Sequence, residues 1–346
     1  MTQPVLGVVI VSYNSRDVIF DCLESLLAAR DVSLHVVVVD NASTDGTPAA
    51  IRDWAAGQSA WTAPDDLPFP LTAAPKPLEL AGPDGLPPAA PGITLLHSPV
   101  NGGFAAGVNI GLAHLARHPD IDRFWVLNPD CVTPPETPHA FAAHETPGGQ
   151  FSLLGGRVTY VDPPDRIQTD GGTINRFTGV TGNLNLGLSF RQTPPPDPDR
   201  ADFIVGASMV ASRRFYEIVG PMPEEYFLYY EEVDWALRRG ELPLAFCPEA
   251  RVYHRAGTAI GSPVKGRMAS TFSLYFKHRA RHLFVRRHFP LSLPTAWAFT
   301  LAKAGWYLLK GHRSAARTVI AGAYGAPPPR EVREKLSPEA RAILSS

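Results

Sequence analysis

Val5-Leu6-Gly7-Val8-Val9-Ile10-Val11-Ser12 is a continuous apolar run, rich in β-branched residues, that stops on a polar residue and is followed by Tyr13-Asn14-Ser15. A strand with one solvated face alternates apolar and polar residues, so an unbroken run of this kind reads as a parallel strand covered on both faces. Beyond the turn, Ile19, Cys22, Leu23, Leu26 and Leu27 recur at the spacing of one helical face. A second run, Leu34 to Val39, ends on Asp40. The loop Asn41-Ala42-Ser43-Thr44-Asp45-Gly46 then leads to Thr47-Pro48, which predicts a helix N-cap with proline at the first helical position. Two strand-helix units in succession predict a doubly wound α/β sheet.

Working outward, the pattern resumes with a strand at Ile93 to His97, the turn Asn101-Gly102-Gly103, a helix from Phe104 to Arg117, and a strand Phe124 to Leu127 that stops at Asn128-Pro129-Asp130. Between these units, residues from about 57 to 92 are rich in Pro, Ala and Gly without periodicity, which predicts a surface insertion that adds nothing to the core. A second proline-rich stretch, Thr193 to Pro198, precedes the apolar Phe203 to Ala211. Another strand is expected at Leu244 to Cys247, with Val252-Tyr253-His254 just past its end. Thr271 to His288 reads as a basic helix, and Pro294 to Leu309 as a largely apolar one containing Lys303. The latter falls short of the ~20 residues of a bilayer span, and reads instead as an interfacial or partner-docking helix. These changes of character divide the chain into a domain at 1–255 and a basic, mainly helical region at 256–346.

With 346 residues the chain can bury a sizeable core as one large domain plus an appendage. Three cysteines, Cys22, Cys131 and Cys247, are an odd number without metal-type spacing, which argues against a disulfide framework or zinc site and for a reducing compartment. The amino terminus passes into a strand without a charged leader or cleavage pattern, the expectation for a cytoplasmic protein. A net charge of -1 hides an asymmetry, because Ala250 to Arg330 holds fourteen Lys/Arg and no Asp or Glu. Such a segment suits an anionic partner, whether nucleic acid, phosphorylated lipid or membrane surface, or is simply a solvated basic face.

In open α/β sheets ligands sit beyond the carboxyl ends of the strands. Ser12 to Asn14, Asp40 to Ser43, Asn101 to Phe104 and Asn128 to Asp130 all follow predicted strands and would converge on one edge, although Asn, Ser, Asp and Gly are also ordinary turn formers. Asp40 could accept a hydrogen bond from a base imide. Gly102 and Gly103 permit close backbone approach to a diphosphate or sugar. The first strand-helix turn lacks the Gly-x-Gly-x-x-Gly of dinucleotide-binding dehydrogenases. Asp130 is the candidate ligand for a hard divalent cation, Mg²⁺ or Mn²⁺, which completes its shell with substrate phosphates. His254 is the choice for a second ligand, with a satisfied structural histidine as the alternative. Within Tyr229-Tyr230-Glu231-Glu232-Val233-Asp234-Trp235, a helix puts Glu231 at i, i+3 with Asp234 and at i, i+4 with Trp235, and sets Glu232 to one side. One of these acids can serve as a general base, although acids in a first helical turn also answer to the helix dipole.

Taken together, Val9 to Ser15, Val39 to Thr47, Asn101 to Asn109, Leu127 to Asp130 and Tyr229 to Trp235 resemble family 2 glycosyltransferases, and among them the rhamnosyltransferase-like branch, over roughly residues 5 to 290. The resemblance implies a GT-A type fold (Rossmann-like, a mostly parallel sheet flanked by helices) and an inverting transfer from a nucleotide sugar with a divalent cation. By the same resemblance Asp130 falls on the last acid of the metal motif, with Asn128 in place of the first. His254 matches a later metal-binding histidine, Glu232 the general base and Asp40 the nucleobase-binding acid. Ser12, Tyr13, Asn14, Asn41, Ser43, Gly102, Gly103, Phe104, Asn109 and Asn128 would complete the donor site, and Glu231, Asp234 and Trp235 would meet substrate. The base position departs from the family's pattern, since Glu stands where Asp is usual. The Phe-Asp-Glu expected upstream is Met222-Pro223-Glu224.

The donor implied is dTDP-rhamnose or a UDP-sugar. The acceptor implied is a glycan or a polyprenyl-diphosphate-linked one, in cell-wall or cell-surface polysaccharide synthesis at the cytoplasmic face of the membrane. The basic carboxyl-terminal region would make peripheral membrane contact, and nucleic acid is not an expected partner. A nucleotidyltransferase is the first rival, but it should carry a Gly-rich basic loop that Ser12 to Asp17 is not. An inactive sugar-nucleotide-binding protein is the second. A processive synthase lacks support, because there is no Gln-x-x-Arg-Trp.

Overall fold

The computed structural model describes residues 3–85, 92–255 and 268–345. Its first half runs β1 (Val5–Ser12), α1 (Ile19–Leu27), β2 (Ser33–Asp40), α2 (Thr47–Ala55), β3 (Leu80–Ala81), β4 (Gly92–His97), α3 (Phe104–Ala116), β5 (Arg123–Leu127), β6 (Cys131–Val132) and α4 (Thr137–Ala143). There follow β7 (Leu153–Tyr160), β8 (Ile167–Thr169), β9 (Gly172–Ile174), β10 (Thr181–Asn183), β11 (Ser208–Ser212), α5 (Arg213–Val219), α6 (Glu231–Leu237) and β12 (Ala245–His254). The chain ends in α7 (Thr271–His288), α8 (Leu293–Leu309), α9 (Arg313–Tyr324), α10 (Arg330–Arg333) and α11 (Pro338–Ser345).

Among the described residues the sheet has ten strands, in the order β3-β4-β2-β1-β5-β11-β7-β12-β6 with β8 beside β7. Strands β1 to β5 pair in parallel wherever they meet, and β11 enters antiparallel to both β5 and β7. The α/β class expected from the sequence, a mostly parallel sheet flanked by helices with a helical carboxyl-terminal region, is the architecture observed. The strand period of two explains why β1 and β2 are apolar throughout. Leu6, Val8, Ile10, Val36 and Val38 enter the core under α1 and α2, while Val9, Val11, Val37 and Val39 enter the core under α3. Each of these side chains contributes about 1.5–3 kcal/mol when fully buried. Helix α3 lies close on β1 because Gly107 and Gly111 face it: a Cβ on them would fall 2.5 and 2.4 Å from Val11 and Val9 methyls.

Three expectations need correction. Thr47 is the first helical residue rather than the cap. The residue before it, Gly46, has φ +82°, and Asp45 Oδ1 accepts from Thr47 N at 2.9 Å. The strand predicted at Leu244 to Cys247 continues through a register shift to His254, so His254 ends a strand instead of following one. The insertion is also bound to the core. Trp61, Leu78 and Leu80 pack on the α1/α2 core, β3 extends the sheet beside β4, and Leu67 and Phe69 pack on Tyr253 and Val132. Buried Glu24 holds it there, accepting from Lys76 Nζ at 2.9 Å, Ala74 N at 2.7 Å and Trp54 Nε1 at 2.8 Å. Asp66 makes a two-point ion pair with Arg255 at 2.5 and 2.9 Å, so the insertion braces the strand end that carries His254. Its residues 86–91 lie outside the described ones. The three cysteines are free and buried. Among the described residues, no helix is long and apolar enough to cross a membrane.

Candidate active site

Four loops meet at the carboxyl ends of β1, β2, β4 and β5, as the strand order requires. Ser12 and Asp40 are register partners, so their side chains emerge on one face. Both are fully buried, and Ser12 Oγ and Asp40 Oδ1 have no hydrogen-bond partner among the described residues. The other oxygen of Asp40 accepts from Ser43 N at 3.2 Å and pairs with His97 Nδ1 at 2.9 Å. A buried carboxylate oxygen without a donor is costly, and a ligand N–H is the kind of group that would satisfy it.

Around this pair the loops are sewn together by their own polar groups. Asn14 N donates to Ser43 Oγ at 2.9 Å, and Thr44 N to Asn14 Oδ1 at 2.8 Å. Half-buried Tyr13 donates its backbone N–H to Ser15 Oγ at 3.3 Å. Asn41 Nδ2 donates to Gly103 O at 2.9 Å and to Asn101 Oδ1 at 3.1 Å, and Asn41 Oδ1 accepts from Gly102 N at 3.3 Å. Gly103 has φ +92°, and its backbone abuts Phe227, in the loop that leads to α6. Phe104 N donates to Phe227 O at 2.9 Å, which carries the linkage across to the acidic run.

Past β5, Asn128 N donates to Ala207 O at 3.0 Å and Asn128 O accepts from Cys131 N at 3.2 Å, a turn that carries Asp130 to the mouth of the site. Asp130 Oδ1 and His254 Nε2 stand 3.1 Å apart. His254 Nδ1 meets Gln168 Oε1 at 2.8 Å; because that oxygen only accepts, Nδ1 is the donor and Nε2 is the nitrogen turned to Asp130. Ligand atoms about 2.1 Å from an octahedral cation are about 3.0 Å from each other, so this separation suits two adjacent ligands. Cys131 brings its sulfur into the same cluster, with the ligand atoms of all three residues within 4.8 Å of one another. Burial first, then the Asp130 charge, pushes the Cys131 thiol well above its ordinary value, and Sγ donates to Ala207 O at 3.5 Å. A protonated thiol is a poor ligand for a hard cation, which leaves the carboxylate and the imidazole.

The acidic helix α6 is reached through a strained approach. Phe227, Tyr229 and Tyr230 have φ of +66°, +69° and +70°, a region that non-glycine residues seldom occupy. The aromatic side chains hold it: Tyr230 Oη donates to Gly179 O at 2.6 Å, Tyr229 Oη and Ser273 Oγ are 2.9 Å apart, and Phe227 stacks on Phe276 of α7. Glu231 is buried with Oε2 unpartnered among the described residues, and burial together with the neighbouring Glu232 raises its carboxyl well above the usual range. Glu232 is half-buried. Burial pushes its carboxyl up to about 7, against backbone hydrogen bonds and the Lys277 charge, which pull it down.

Asp234 and Trp235, expected to meet substrate, do not face the site. Asp234 is fully buried, accepting from Tyr226 Oη at 2.6 Å, Arg238 Nε at 2.5 Å and Arg287 Nη1 at 2.9 Å, with His288 Nε2 also 2.9 Å away. Burial works against its ionisation, and these partners nevertheless hold it well below the usual carboxylate range. Trp235 packs edge-on against Phe215 and donates to Gly220 O at 3.0 Å. At i+2 and i+3 from Glu232 these two turn to the core side of the helix. Asn109 is likewise committed elsewhere, receiving Met222 N at 2.8 Å and donating to Met222 O and Glu224 Oε1 at 2.9 and 2.7 Å. It tethers α3 to the segment before α6 rather than lining the donor edge.

The dipeptide Gly206-Ala207 joins the two chemical centres. A Cβ on Gly206 would lie 3.4 Å from Phe104 and 3.9 Å from Glu232 Cβ, and Ala207 O is the acceptor for Asn128 N and Cys131 Sγ beside Asp130. Glu232 and the turn that carries Asp130 therefore both adjoin one dipeptide at the end of the sheet. Gln168, His97 and Lys277 were not singled out from the sequence. Lys277 sits in the basic helix already noted, whereas nothing around Gln168 or His97 marks them.

Residues 7–62 match the model of the family described as Glycosyl transferase family 2. Low-salt glycan biosynthesis hexosyltransferase Agl10 of Haloferax volcanii is 22% identical over 313 residues, 88% of this chain and 84% of its own. The N-acetylglucosaminyl-diphospho-decaprenol L-rhamnosyltransferase of Mycobacterium tuberculosis is 23% identical over 302 residues, 81% of this chain and 84% of its own. Among solved structures, the mannosyltransferase PcManGT from Pyrobaculum calidifontis, in complex with GDP-Man and Mn²⁺, aligns with 100% of this chain and 86% of that one at TM-score 0.49 and 17% identity.

Proposed function

We propose that this chain, which belongs to the family 2 glycosyltransferases, moves a sugar from a nucleoside diphosphate to an acceptor hydroxyl with Glu232 as general base. The observation that carries the reading is a half-buried carboxyl held up to about 7 beside Gly206, with the turn that carries the Asp130–His254 pair bonded to the adjacent Ala207. A base whose carboxyl titrates near neutral pH is charged often enough to accept a proton and basic enough to take it in the transition state.

In the reaction proposed, Glu232 takes the proton of the acceptor hydroxyl as its oxygen forms the bond to the anomeric carbon. The bond from that carbon to the diphosphate oxygen breaks, and the electron pair leaves with the nucleoside diphosphate, inverting the anomeric centre. Asp130 and His254 would hold a divalent cation, Mg²⁺ or Mn²⁺, whose chemistry when bound is to neutralise charge on the departing diphosphate. The orphaned Asp40 Oδ1 would accept the imide N–H of uracil or thymine, with Ser12 Oγ alongside. Asn41 and Asn101 would fix the Gly102-Gly103 backbone where the donor passes. Glu231, its carboxyl raised well above the usual range by burial and by Glu232, would carry little charge of its own beside the base.

The donor assigned is dTDP-rhamnose or a UDP-sugar, and the acceptor a lipid-diphosphate-linked glycan at the cytoplasmic face of a membrane. The support is the rhamnosyltransferase relative, whose name specifies an N-acetylglucosaminyl-diphospho-decaprenol acceptor. In this reading residues 1–255 bind donor and carry the chemistry, and 256–346 form the acceptor side. A thermal-shift panel of nucleotide sugars with Mn²⁺ tests it, since a ligand at 100 times its Kd stabilises by about 2.7 kcal/mol. A panel in which no uridine or thymidine diphosphate sugar shifts the transition would reject the donor assignment.

A further inference from the structure

Helix α8 is apolar on both of its sides, and the described residues cover only one. Ala296, Thr300, Ala304 and Tyr307 are buried, and Ala304 and Tyr307 pack with Leu274 of α7 and Ala315, Ala316 and Val319 of α9. The opposite side carries Phe299, Leu301, Trp306, Leu308 and Leu309, which are exposed, Leu309 to 90%. At ~100° per residue these fall with Ala298, Ala302 and Gly305 in a continuous arc of about 180° that contains no charged residue. A helix hydrophobic all round is normally enclosed by protein or lipid. Here the second half of that enclosure is absent from the described residues.

We propose that this arc is a bilayer-docking surface for anionic lipid. The evidence for lipid is the charge at the arc's borders. Lys303 stands at one edge of the apolar face with Nζ 5.1 Å from the Trp306 ring and 5.4 Å from that of Tyr307. Lys310, Arg313 and Arg317 follow along the junction with α9, and the whole stretch from Ala250 to Arg330 has no acidic residue to oppose them. Long basic side chains beside an aromatic and leucine face are the composition of a helix lying in the headgroup layer, with apolar groups below and ammonium or guanidinium groups at the phosphates. The helix has 17 residues, about 25 Å at 1.5 Å per residue, and lies in the interface rather than through it. A groove of about 560 Å³ between α8 and α9, lined by Leu308, Ile320 and Tyr324, opens on the same helix pair and gives acyl chain a place to enter.

The surface is joined to the base through α7. Leu274 of that helix enters the α8–α9 packing, and Lys277, one turn further on, lies in the field of Glu232. Docking would hold a membrane-borne acceptor one helix away from the base. That delivery rests on the transferase reading, whereas the affinity for lipid does not.

The test is flotation of the full chain with vesicles of phosphatidylcholine alone or mixed with phosphatidylglycerol, alongside Leu301→Asp/Leu309→Asp and Lys310→Glu/Arg313→Glu/Arg317→Glu variants. Binding at least about tenfold stronger on anionic vesicles is expected, weakening as salt rises, with a loss of about 100-fold in the charge-reversal variant and of at least about tenfold in the aspartate variant. Retained affinity for the nucleoside diphosphate shows that a variant is folded. Should a variant lose it, the salt and lipid dependence of the unaltered chain decides. Equal flotation of all variants, no preference for anionic vesicles, or a dimer that Leu309→Asp dissolves without any vesicle binding would each overturn the proposal. Lipid binding with no nucleotide binding would reject the transferase reading and leave the surface standing.

Discussion

Gly103 and Phe227 meet backbone to backbone, the turn before α3 against the loop before α6. A Cβ on Gly103 would lie 2.2 Å from Phe227 O, and Gly103 has φ +92°, so any other residue suffers both a collision and an unfavourable backbone conformation. Through this contact the proposed donor edge and the helix that carries the proposed base Glu232 share one seam. Gly103→Ala is therefore expected to lower kcat/KM by about 100-fold by displacing the base relative to the donor, with the far-UV circular dichroism unchanged. A kcat/KM within threefold of the unaltered enzyme would show that the seam has slack.

Glu232 makes the sharpest kinetic prediction. Glu232→Gln keeps the shape and removes the proton acceptor, so kcat should fall by about 10²- to 10⁴-fold while the Kd for donor nucleotide stays within about twofold. The pH profile should follow the raised carboxyl: only the ionised form accepts a proton, so kcat/KM rises with pH and levels off above about 7. Because Glu231 and Glu232 interact, that value belongs to the pair. A flat profile from pH 5 to 8, or a Gln variant with near-normal turnover, would remove Glu232 from the role.

Gln168 reaches His254 across 86 positions of sequence and fixes which imidazole nitrogen carries the proton. Gln168→Leu removes that acceptor without touching a proposed ligand. The expected result is a 10- to 100-fold weaker Mn²⁺ dependence of nucleotide binding, read by calorimetry with and without the metal, and unchanged metal-free nucleotide affinity. Equal loss in both conditions would mean a general structural effect rather than imidazole orientation.

What the sequence made legible follows from how local each signal is. The runs of β1 and β2 and the amphipathic α1 are written in adjacent residues, and α7 begins at Thr271 and ends at His288 as its pattern predicts. The site's acids were legible as types but not as faces. Asp234 and Trp235 sit two and three residues from Glu232 yet turn to the core, because the core side of the 7-residue α6 is set by Phe215 and Arg287 from elsewhere in the chain, together with Arg238 at its own end. Asn109 looked like a ligand for the same reason: an asparagine in a Gly-rich motif gives no sign that its partner is Met222. The insertion misled by composition, since Trp61, Leu78 and Leu80 are isolated anchors in a proline-rich stretch and isolated anchors leave no period.

Asp234 offers a test of fold rather than chemistry. Its carboxylate is fully buried between Tyr226, Arg238, Arg287 and His288, joining α6 to α7. Replacing it with Asn leaves two guanidinium groups short of their counter-charge, and since both Arg side chains are 35% exposed the cost should be about 2–3 kcal/mol in urea unfolding rather than the larger value of a fully enclosed pair. The sign of the pH effect follows from a folded-state carboxyl held below its ordinary value of 3.8. The stabilisation is fully present above the unfolded pKa and is lost as pH falls below it toward the folded one. The unaltered protein should therefore lose its advantage over Asp234→Asn on acidification below about pH 4. A difference that stays constant down to pH 3 would mean that packing, not charge, is what Asp234 supplies.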